Sequence, residues 1–264
     1  MARRSPLPEE RRSRILDCLA QQGIASLAEL QAAAGGSEAT TRRDLERLTR
    51  EGLIERTRGG ARLLRQSSSL DEEFGRRRRR NARAKRLIAE RAADLVAQGA
   101  SLFLNDGSTA MALAQELSRR ELSVWVATSG LNIAELLARD PAREVVVIGG
   151  LLRQSSFGTI GPLATAAIGM LHADLAFLGC DGLDPAAGVR SNSLYDAEVG
   201  RAMATHADRV VVIADASKWG RPARARVTGW DAVSDLVIDT LPERHVTALE
   251  RQGVRVHLAA KPRS

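Results

Sequence analysis

Five polar segments in the C-terminal part of this 264-residue chain carry side chains that suit a small anionic ligand. Each stands directly after a short apolar run. The first, Asn105-Asp106-Gly107-Ser108-Thr109, opens a helical pattern. Gly107 lets a backbone approach a ligand there, and Ser108, Thr109 and the free amides of the helix start offer donors to an anion. Thr128-Ser129-Gly130 repeats the arrangement after the next run. Gly149-Gly150, with Arg153 just beyond, follows a third. Gly179-Cys180-Asp181-Gly182 and Asp215-Ala216-Ser217-Lys218 complete the set. Hydroxyls, glycine amides, Arg153 and Lys218 suit a phosphate, while Asp106 and Asp181 suit sugar hydroxyls. One such turn alone is more often a helix cap than a ligand site. Recurrence at successive positions points to a bound anionic polyol. The expected contacts are Asp106, Gly107, Ser108, Thr109, Thr128, Ser129, Gly149, Gly150, Arg153, Asp181 and Lys218.

A second chemistry lies near the N-terminus. Ser37-Glu38-Ala39-Thr40-Thr41-Arg42-Arg43-Asp44-Leu45 reads as a helix capped by the Ser37 hydroxyl. With Leu45 and Leu48 turned inward, Thr40, Arg43 and Arg47 fall on the outward face. Such a face fits a DNA major groove, where arginine forks onto guanine and threonine meets a thymine methyl. Two short alternating runs follow, Leu53 to Arg58 and Ala61 to Arg65, around Gly59-Gly60, which suits a hairpin turn. Arg56, Arg58, Arg62 and Arg65 stud this wing, where they would lie along phosphates and set register. The expected DNA contacts are Arg14, Ser37, Thr40, Thr41, Arg42, Arg43, Arg47, Arg56 and Arg58.

The elements that must position these groups are legible in the pattern. Ile15, Leu16 and Leu19 form one apolar stripe of a first helix, which Gly23 ends. Ser26 and Glu29 form a capping box for a second helix, and Ala33-Ala34-Gly35-Gly36 turns into the third. This is a winged helix-turn-helix over residues 1–65. Residues 66–86 read as a linker, Gln66-Ser67-Ser68-Ser69, and a basic connecting helix. Its run Arg76-Arg77-Arg78-Arg79-Arg80 reads as a solvated face, with DNA contact as the alternative, while Leu87, Ile88 and Leu95 pack on the next domain. Residues 87–264 alternate strands and helices. Strands are expected at 101–104, 123–127, 144–148, 175–178, 209–213 and 235–238. Helices are expected at 109–118, 131–138, 163–171, 197–207 and 242–252. Apolar strands separated by helices make a doubly wound, mainly parallel α/β sheet, whose ligands bind beyond the carboxyl ends of the strands.

Bulk properties agree. There are 39 Lys plus Arg against 32 Asp plus Glu, a formal net charge of +7, with the excess concentrated in the first 65 residues and around Arg76 to Arg86. Clustered arginine is the footprint of a polyanion partner and makes binding salt-dependent. No apolar run is long enough to span a bilayer, and Met1 to Arg14 lacks the apolar core of a signal peptide. Cys18 and Cys180 fall in separate domains, so no disulfide and a reducing cytoplasm are expected. The four histidines show no ligand spacing, so no metal and no cofactor are expected.

Across nearly its whole length the chain resembles the DeoR family of bacterial transcription regulators. In the N-terminal half the resemblance rests on Arg11-x-x-x-Ile15-Leu16, Ser26-x-x-Glu29-Leu30, Ser37-Glu38-x-Thr40-x-Arg42-Arg43-Asp44-Leu45 and Glu51-Gly52-Leu53-Ile54. It continues through Phe74-x-x-Arg77-x-x-x-Asn81, Phe103-Leu104-Asn105-Asp106-Gly107-Ser108-Thr109, Gly161-Pro162-Leu163-Ala164, Ala173 to Asp184, and Ala214-Asp215-Ala216-Ser217-Lys218-Trp219-Gly220. It implies Ser37, Thr40, Arg42 and Arg43 as the main DNA contacts. It also implies a sensor domain with the fold of ribose-5-phosphate isomerase and the CoA transferases. Ser108 and Thr109 would then lie near the phosphate of a phosphorylated sugar or polyol, with Asp106, Asp181 and Lys218 around the sugar. Three positions depart from the family pattern: Thr41 replaces isoleucine or valine, Asn105 replaces aspartate, and Gly200 replaces a lysine. The expectation is a cytoplasmic, non-enzymatic repressor of a carbohydrate or polyol catabolic operon, acting on double-stranded operator DNA as a dimer or tetramer. The rival readings are a sugar-phosphate isomerase-like enzyme fused to a DNA-binding module, with Asp181 as base and Lys218 as stabiliser, and an architectural DNA-binding protein.

Overall fold

The computed structural model describes residues 6–63 and 69–260. The chain divides into two compact units, Met1–Ser69 and Leu70–Ser264. In the first, α1 (Pro8–Gln22), β1 (Ile24–Ser26), α2 (Leu27–Ala34), α3 (Glu38–Arg50), β2 (Ile54–Thr57) and β3 (Gly60–Leu63) follow in order. Glycine ends α1 at Gly23 and α2 at Gly35, both with positive φ. Ile15, Leu19, Leu30, Leu45, Leu48 and Ile54 are fully or almost fully buried and form the core between the helices and the wing. The strand β1 lies outside the sequence expectation, because three residues running straight into the Ser26 cap leave no alternation to read. It pairs antiparallel with β3, so the wing is a three-stranded sheet of order β1-β3-β2. Gly60 faces Ser26 in that register, and any Cβ there would strike the Ala25 carbonyl oxygen. The end of the second wing run (Leu64, Arg65) and the linker residues Gln66, Ser67 and Ser68 lie outside the described residues.

The second unit begins with α4 (Ser69–Arg79) and α5 (Ala82–Ala93), then β4 (Ser101–Leu104), α6 (Ser108–Arg119), β5 (Trp125–Thr128), α7 (Leu131–Leu137) and β6 (Glu144–Val147). A hairpin β7 (Leu151–Arg153) and β8 (Gly158–Ile160) leads to α8 (Pro162–Ile168) and β9 (Ala173–Leu178). Next come β10 (Gly182–Asp184), β11 (Gly188–Ser191), α9 (Leu194–Thr205), β12 (Ala207–Ala214), β13 (Ala225–Thr228), β14 (Asp235–Ile238), α10 (Glu243–Glu250) and β15 (Arg255–Leu258). Seven strands form one sheet of order β15-β14-β12-β9-β4-β5-β6, and every pairing in it is parallel. The expected doubly wound sheet is present: β4 and β14 match the expected bounds, the other four expected strands differ by one or two residues, and β15 lies outside the sequence expectation.

Burial explains why these strands read as apolar runs. Leu102, Leu104, Leu175, Phe177, Val211 and Ile213 pack on α5, α6 and α7. Their neighbours Phe103, Ala176, Leu178, Val212 and Ala214 pack in the second core with residues of α8 and α9. Both faces are covered, as a parallel sheet requires. The single basic connecting helix expected within residues 66–86 is instead two helices, α4 and α5. Asn81 takes a left-handed φ of 53° between them, and its amide donates to the Asp215 carboxylate at 2.8 Å. Ile88 is fully buried and Leu95 half-buried against the sheet, as expected, whereas Leu87 is half-buried outside that core.

At the sheet end away from these turns, Asp235 is fully buried and accepts from Arg209 (2.9 Å), Arg255 (2.9 Å) and His257 (2.8 Å), joining β12, β14 and β15. Burial opposes its charge, but hydrogen bonds from Arg255, His257 and Arg209 outweigh that and hold the carboxyl below its ordinary 3.8. A depressed folded value means the contribution is complete above pH 3.8 and fades as acid protonates the folded state. Asp235→Asn is expected to cost about 2 kcal/mol at neutral pH, with the difference from the parent shrinking below pH 3.8. Urea unfolding at both pH values checks this, and equal stability at pH 7 contradicts it.

Candidate functional site

In the first unit, helix α3 displays the expected basic face. The Ser37 hydroxyl accepts from the Thr40 amide at 3.3 Å and bonds the Thr40 hydroxyl at 2.8 Å. Ser37, Arg42, Arg43 and Arg47 are exposed and Thr40 is half-exposed. Arg42 pairs with Glu38 at 2.6 Å and Arg47 with Glu51 at 2.9 Å. Such exposed i,i+4 pairs hold little energy and release their arginines easily to a phosphate. Arg43, Arg56 and Arg58 are exposed and have no ion-pair partner among the described residues. Arg14 is exposed on α1, with its guanidinium beside the Gly35 turn.

Thr41 corrects the sequence expectation. It is fully buried, and its hydroxyl donates to the Ser37 carbonyl at 3.1 Å. Spacing explains this, since Thr41 precedes Leu45 and Leu48 on the inward stripe. There the hydroxyl satisfies itself on the preceding turn. Asp44, also buried, accepts from Arg11 at 2.8 Å and ties α3 to α1. It acts in positioning the helix, not in presenting charge.

In the second unit, a cleft of about 360 Å³ opens at the carboxyl ends of β4, β9 and β12. The sheet order makes this the switch point. From β4 the chain steps outward to β5 and β6, then returns to β9 on the other side of β4 and steps outward to β12, β14 and β15. Segments leaving β4 and β9 depart to opposite faces, which leaves a gap between them. Of the expected ligand contacts, Asp106, Gly107, Ser108, Thr109, Arg153, Asp181 and Lys218 line this cleft.

Thr128, Ser129, Gly149 and Gly150 do not line it, and each has a structural place. The β7–β8 hairpin covers the end of β5: Thr159 donates from its amide to the Ser129 carbonyl at 2.8 Å, and Thr128 and Ser129 are fully buried. The Thr128 hydroxyl accepts from the Gly130 amide at 3.0 Å. Gly149 and Gly150 are exposed at the approach to β7. Gly150 has a φ of 152°, and a Cβ there would stand 2.7 Å from the Ile160 carbonyl oxygen. A strand-end motif read from sequence cannot register that a later hairpin closes over it.

The cleft also holds residues that the motifs did not single out as contacts: Arg77, Arg80, Lys85, Asp196, Asp215 and Arg221. Counting side chains, Arg77, Arg80, Lys85, Arg153, Lys218 and Arg221 face Asp106, Asp181, Asp196 and Asp215, six cations against four carboxylates. The carboxylates are largely engaged. Asp196 is ion-paired with Arg153. Asp181 accepts from the Asn192 amide at 2.8 Å and from the Ser191 hydroxyl at 3.3 Å. Asp215 accepts from Asn81 and from the Ser217 hydroxyl and amide. Burial alone would raise the Asp215 carboxyl, but those hydrogen bonds and the charges of Lys218 and Lys85 bring it below the ordinary value. Asp106 packs over Gly158, where a Cβ would stand 2.5 Å from its carboxyl carbon. Burial pushes the Cys180 thiol up to about 12, so a neutral thiol lines the cleft at physiological pH.

Two of the departures noted in the sequence have local reasons. The Asn105 side chain donates to the Gly179 carbonyl at 3.0 Å and accepts from the Gly179 amide at 2.9 Å. It thus continues the β4–β9 pairing one step past the strands. Gly200 is buried on the cleft wall, and a Cβ there would stand 2.9 Å from Val227 Cγ1. Among the described residues no group of three or more His, Cys, Asp or Glu is placed to hold a metal ion, and no helix is long and apolar enough to cross a membrane.

Comparison with known proteins bears on both units. Residues 11–67 match the DeoR-like helix-turn-helix domain, and residues 80–240 match the DeoR C terminal sensor domain. The chain is 32% identical to the HTH-type transcriptional regulator GlpR of Haloferax volcanii, covering 95% of this chain and 97% of that one. It is 33% identical to the HTH-type transcriptional regulator GolR of Listeria innocua, covering 88% and 91%. To the glycerol-3-phosphate regulon repressor of Haemophilus influenzae it is 32% identical, covering 94% and 96%. Among solved structures, ribose 5 phosphate isomerase A from Neisseria gonorrhoeae aligns over 53% of each chain, at 19% identity and a TM-score of 0.37.

Because both faces of its amide are used, Asn105 tests the geometry at the cleft floor. Asn105→Asp would set a carboxylate oxygen against the Gly179 carbonyl. A loss of about 1–2 kcal/mol is expected, read by urea unfolding at pH 7. Unchanged stability contradicts the reciprocal pairing.

Proposed function

We propose that this chain, which belongs to the DeoR family of transcriptional regulators, represses genes of carbohydrate or polyol use and is released or engaged by a phosphorylated sugar or polyol held in the strand-end cleft. The observation that carries the reading is the cleft itself. Three strand ends converge on it with cations in excess and with carboxylates and hydroxyls among them, in a chain that also presents a basic recognition helix. Ser108, Thr109 and the first amides of α6 would take the phosphate, aided by Lys218 and Arg153. Asp106 and Asp181 would take hydroxyls. The name of the Haemophilus relative, a glycerol-3-phosphate regulon repressor, supports a small polyol phosphate as the ligand class.

On the DNA side, Thr40 and Arg43 would read base edges, with Ser37, Arg42 and Arg47 flanking. Arg14, Arg56 and Arg58 would hold phosphates. A helix-turn-helix reads paired half-sites as a symmetric dimer or tetramer, and in this reading the protein acts as such an oligomer in the cytoplasm, where its DNA lies. We read the cleft as a sensor and not a catalytic centre, because it belongs to a chain that also carries a DNA-binding unit, and sensing gives both halves one task. For the ligand to control the DNA, it must bind the DNA-competent and incompetent states with different affinity.

The two roles separate by mutation. Arg43→Ala is expected to weaken operator binding by about 1–3 kcal/mol, and Arg56→Ala to lower the salt slope of log affinity by roughly 1. Lys218→Ala should abolish the response to ligand while leaving DNA affinity within about twofold of the parent. Fluorescence anisotropy on operator DNA reads all three. A folded Lys218→Ala protein that no longer binds DNA sinks the separation.

A further inference from the structure

The run Arg76 to Arg80 is assigned no task by either half of the regulator reading, and its geometry divides it. Arg77 and Arg80, three residues apart and so on one face at the end of α4, line the strand-end cleft together with Lys218 and Arg221. Arg78 and Arg79 line a different groove, beside Arg86 and Arg119. The helix that carries them is held at its middle and at its C-terminal end. At mid-helix Phe74, nearly buried, meets Phe157 of the β7–β8 turn edge to face at 5.8 Å. At the C-terminal end the buried Lys85 ammonium donates to the carbonyls of Arg77 and Arg80, a cation placed where a helix C-terminus favours one. Asn81 then bonds Asp215, the residue that also caps the turn bearing Lys218.

Resting on the anion-cleft reading above, we propose that Arg77 and Arg80 bind the ligand's anionic group, so that the helix entering from the DNA-binding unit forms one wall of the ligand site. A guanidinium pair meets phosphate oxygens with charge-assisted, forked hydrogen bonds. The turns after β4 and β12 supply Ser108 and Lys218 to the same cleft. An anion held by both sets bonds α4 to the ends of β4 and β12, adding to what Phe74, Lys85 and Asn81 hold in its absence. The pattern Phe74-x-x-Arg77-x-x-x-Asn81 thereby acquires three separate tasks: anchor, ligand contact and turn.

The test uses the full chain and inorganic phosphate, followed by calorimetric titration. The parent should bind phosphate, and Arg77→Ala with Arg80→Ala should weaken it roughly tenfold or more. Arg78→Ala with Arg79→Ala removes the same charge from the same helix and should change affinity by no more than about threefold. Equal loss in both pairs overturns the proposal, because a general field would then suffice. Undiminished binding in the Arg77, Arg80 variant overturns it too, while leaving an anion-binding cleft. A parent that binds no phosphate overturns the proposal together with the phosphate reading. Should the alanine pair fail to fold, Arg77→Gln with Arg80→Gln keeps the stems without the charge and is read the same way. Hydrogen exchange at residues 76–81 is a second readout. Phosphate should slow it in the parent and not in the Arg77, Arg80 variant, and exchange that phosphate leaves unchanged in the parent contradicts the wall.

Discussion

Two neighbouring parallel strands, β4 and β9, send the chain to opposite faces of the sheet, and the rest of the second unit is arranged around that divergence. Backbone amides and carbonyls just past the two strands would lose their pairing partners there. Asn105 supplies a substitute on one side by bridging to Gly179 with both ends of its amide. Beyond it the gap stays open, and the turns after β4, β9 and β12 supply charge and hydroxyls to it, joined by side chains of α4, α5, β7 and α9. The site is a consequence of strand order before it is a matter of particular side chains.

Electrostatics then decides what the gap can hold. Four carboxylates do not cancel the site for an anion, because six cations line it and the Arg153–Asp196 pair removes one of each. Lys85 is spent as well, on the carbonyls that end α4. What remains directed at the cleft is cationic on two sides, with α6 offering its amino-terminal turn. In the first unit the division is similar. The Arg11–Asp44 pair is buried and structural, while Arg43 and the wing arginines are exposed. In both units the buried ions set geometry and the exposed ones are available to a partner.

Much of this was legible in the sequence, for local reasons. Ser26 and Ser37 announce helix starts because their hydroxyls serve amides within three residues. The apolar runs of β4 and β14 match their strands end for end, since a doubly covered strand admits little else. What escaped reading depends on distant partners. Asn81 breaks a helical pattern that looks continuous, and it does so for Asp215, 134 positions away. Thr128, Ser129, Gly149 and Gly150 have the right composition for a ligand turn, yet the β7–β8 hairpin closes over the first two. The sheet β10-β11-β13 is assembled from segments of three or four residues, too short for alternation to show. Thr41 is different: its spacing to Leu45 and Leu48 was in plain view and marks an inward position.

The central claim is that an anion in the cleft changes what the recognition helix does. It is tested most directly by fluorescence anisotropy of the full chain on the DNA upstream of its own gene, titrated with paired sugars or polyols and their phosphates. The account predicts that one phosphorylated compound shifts the DNA-binding curve and that its unphosphorylated partner, at the same concentration, does not. Salt-sensitive DNA binding that no phosphate alters, or a response to the neutral compound alone, would contradict it.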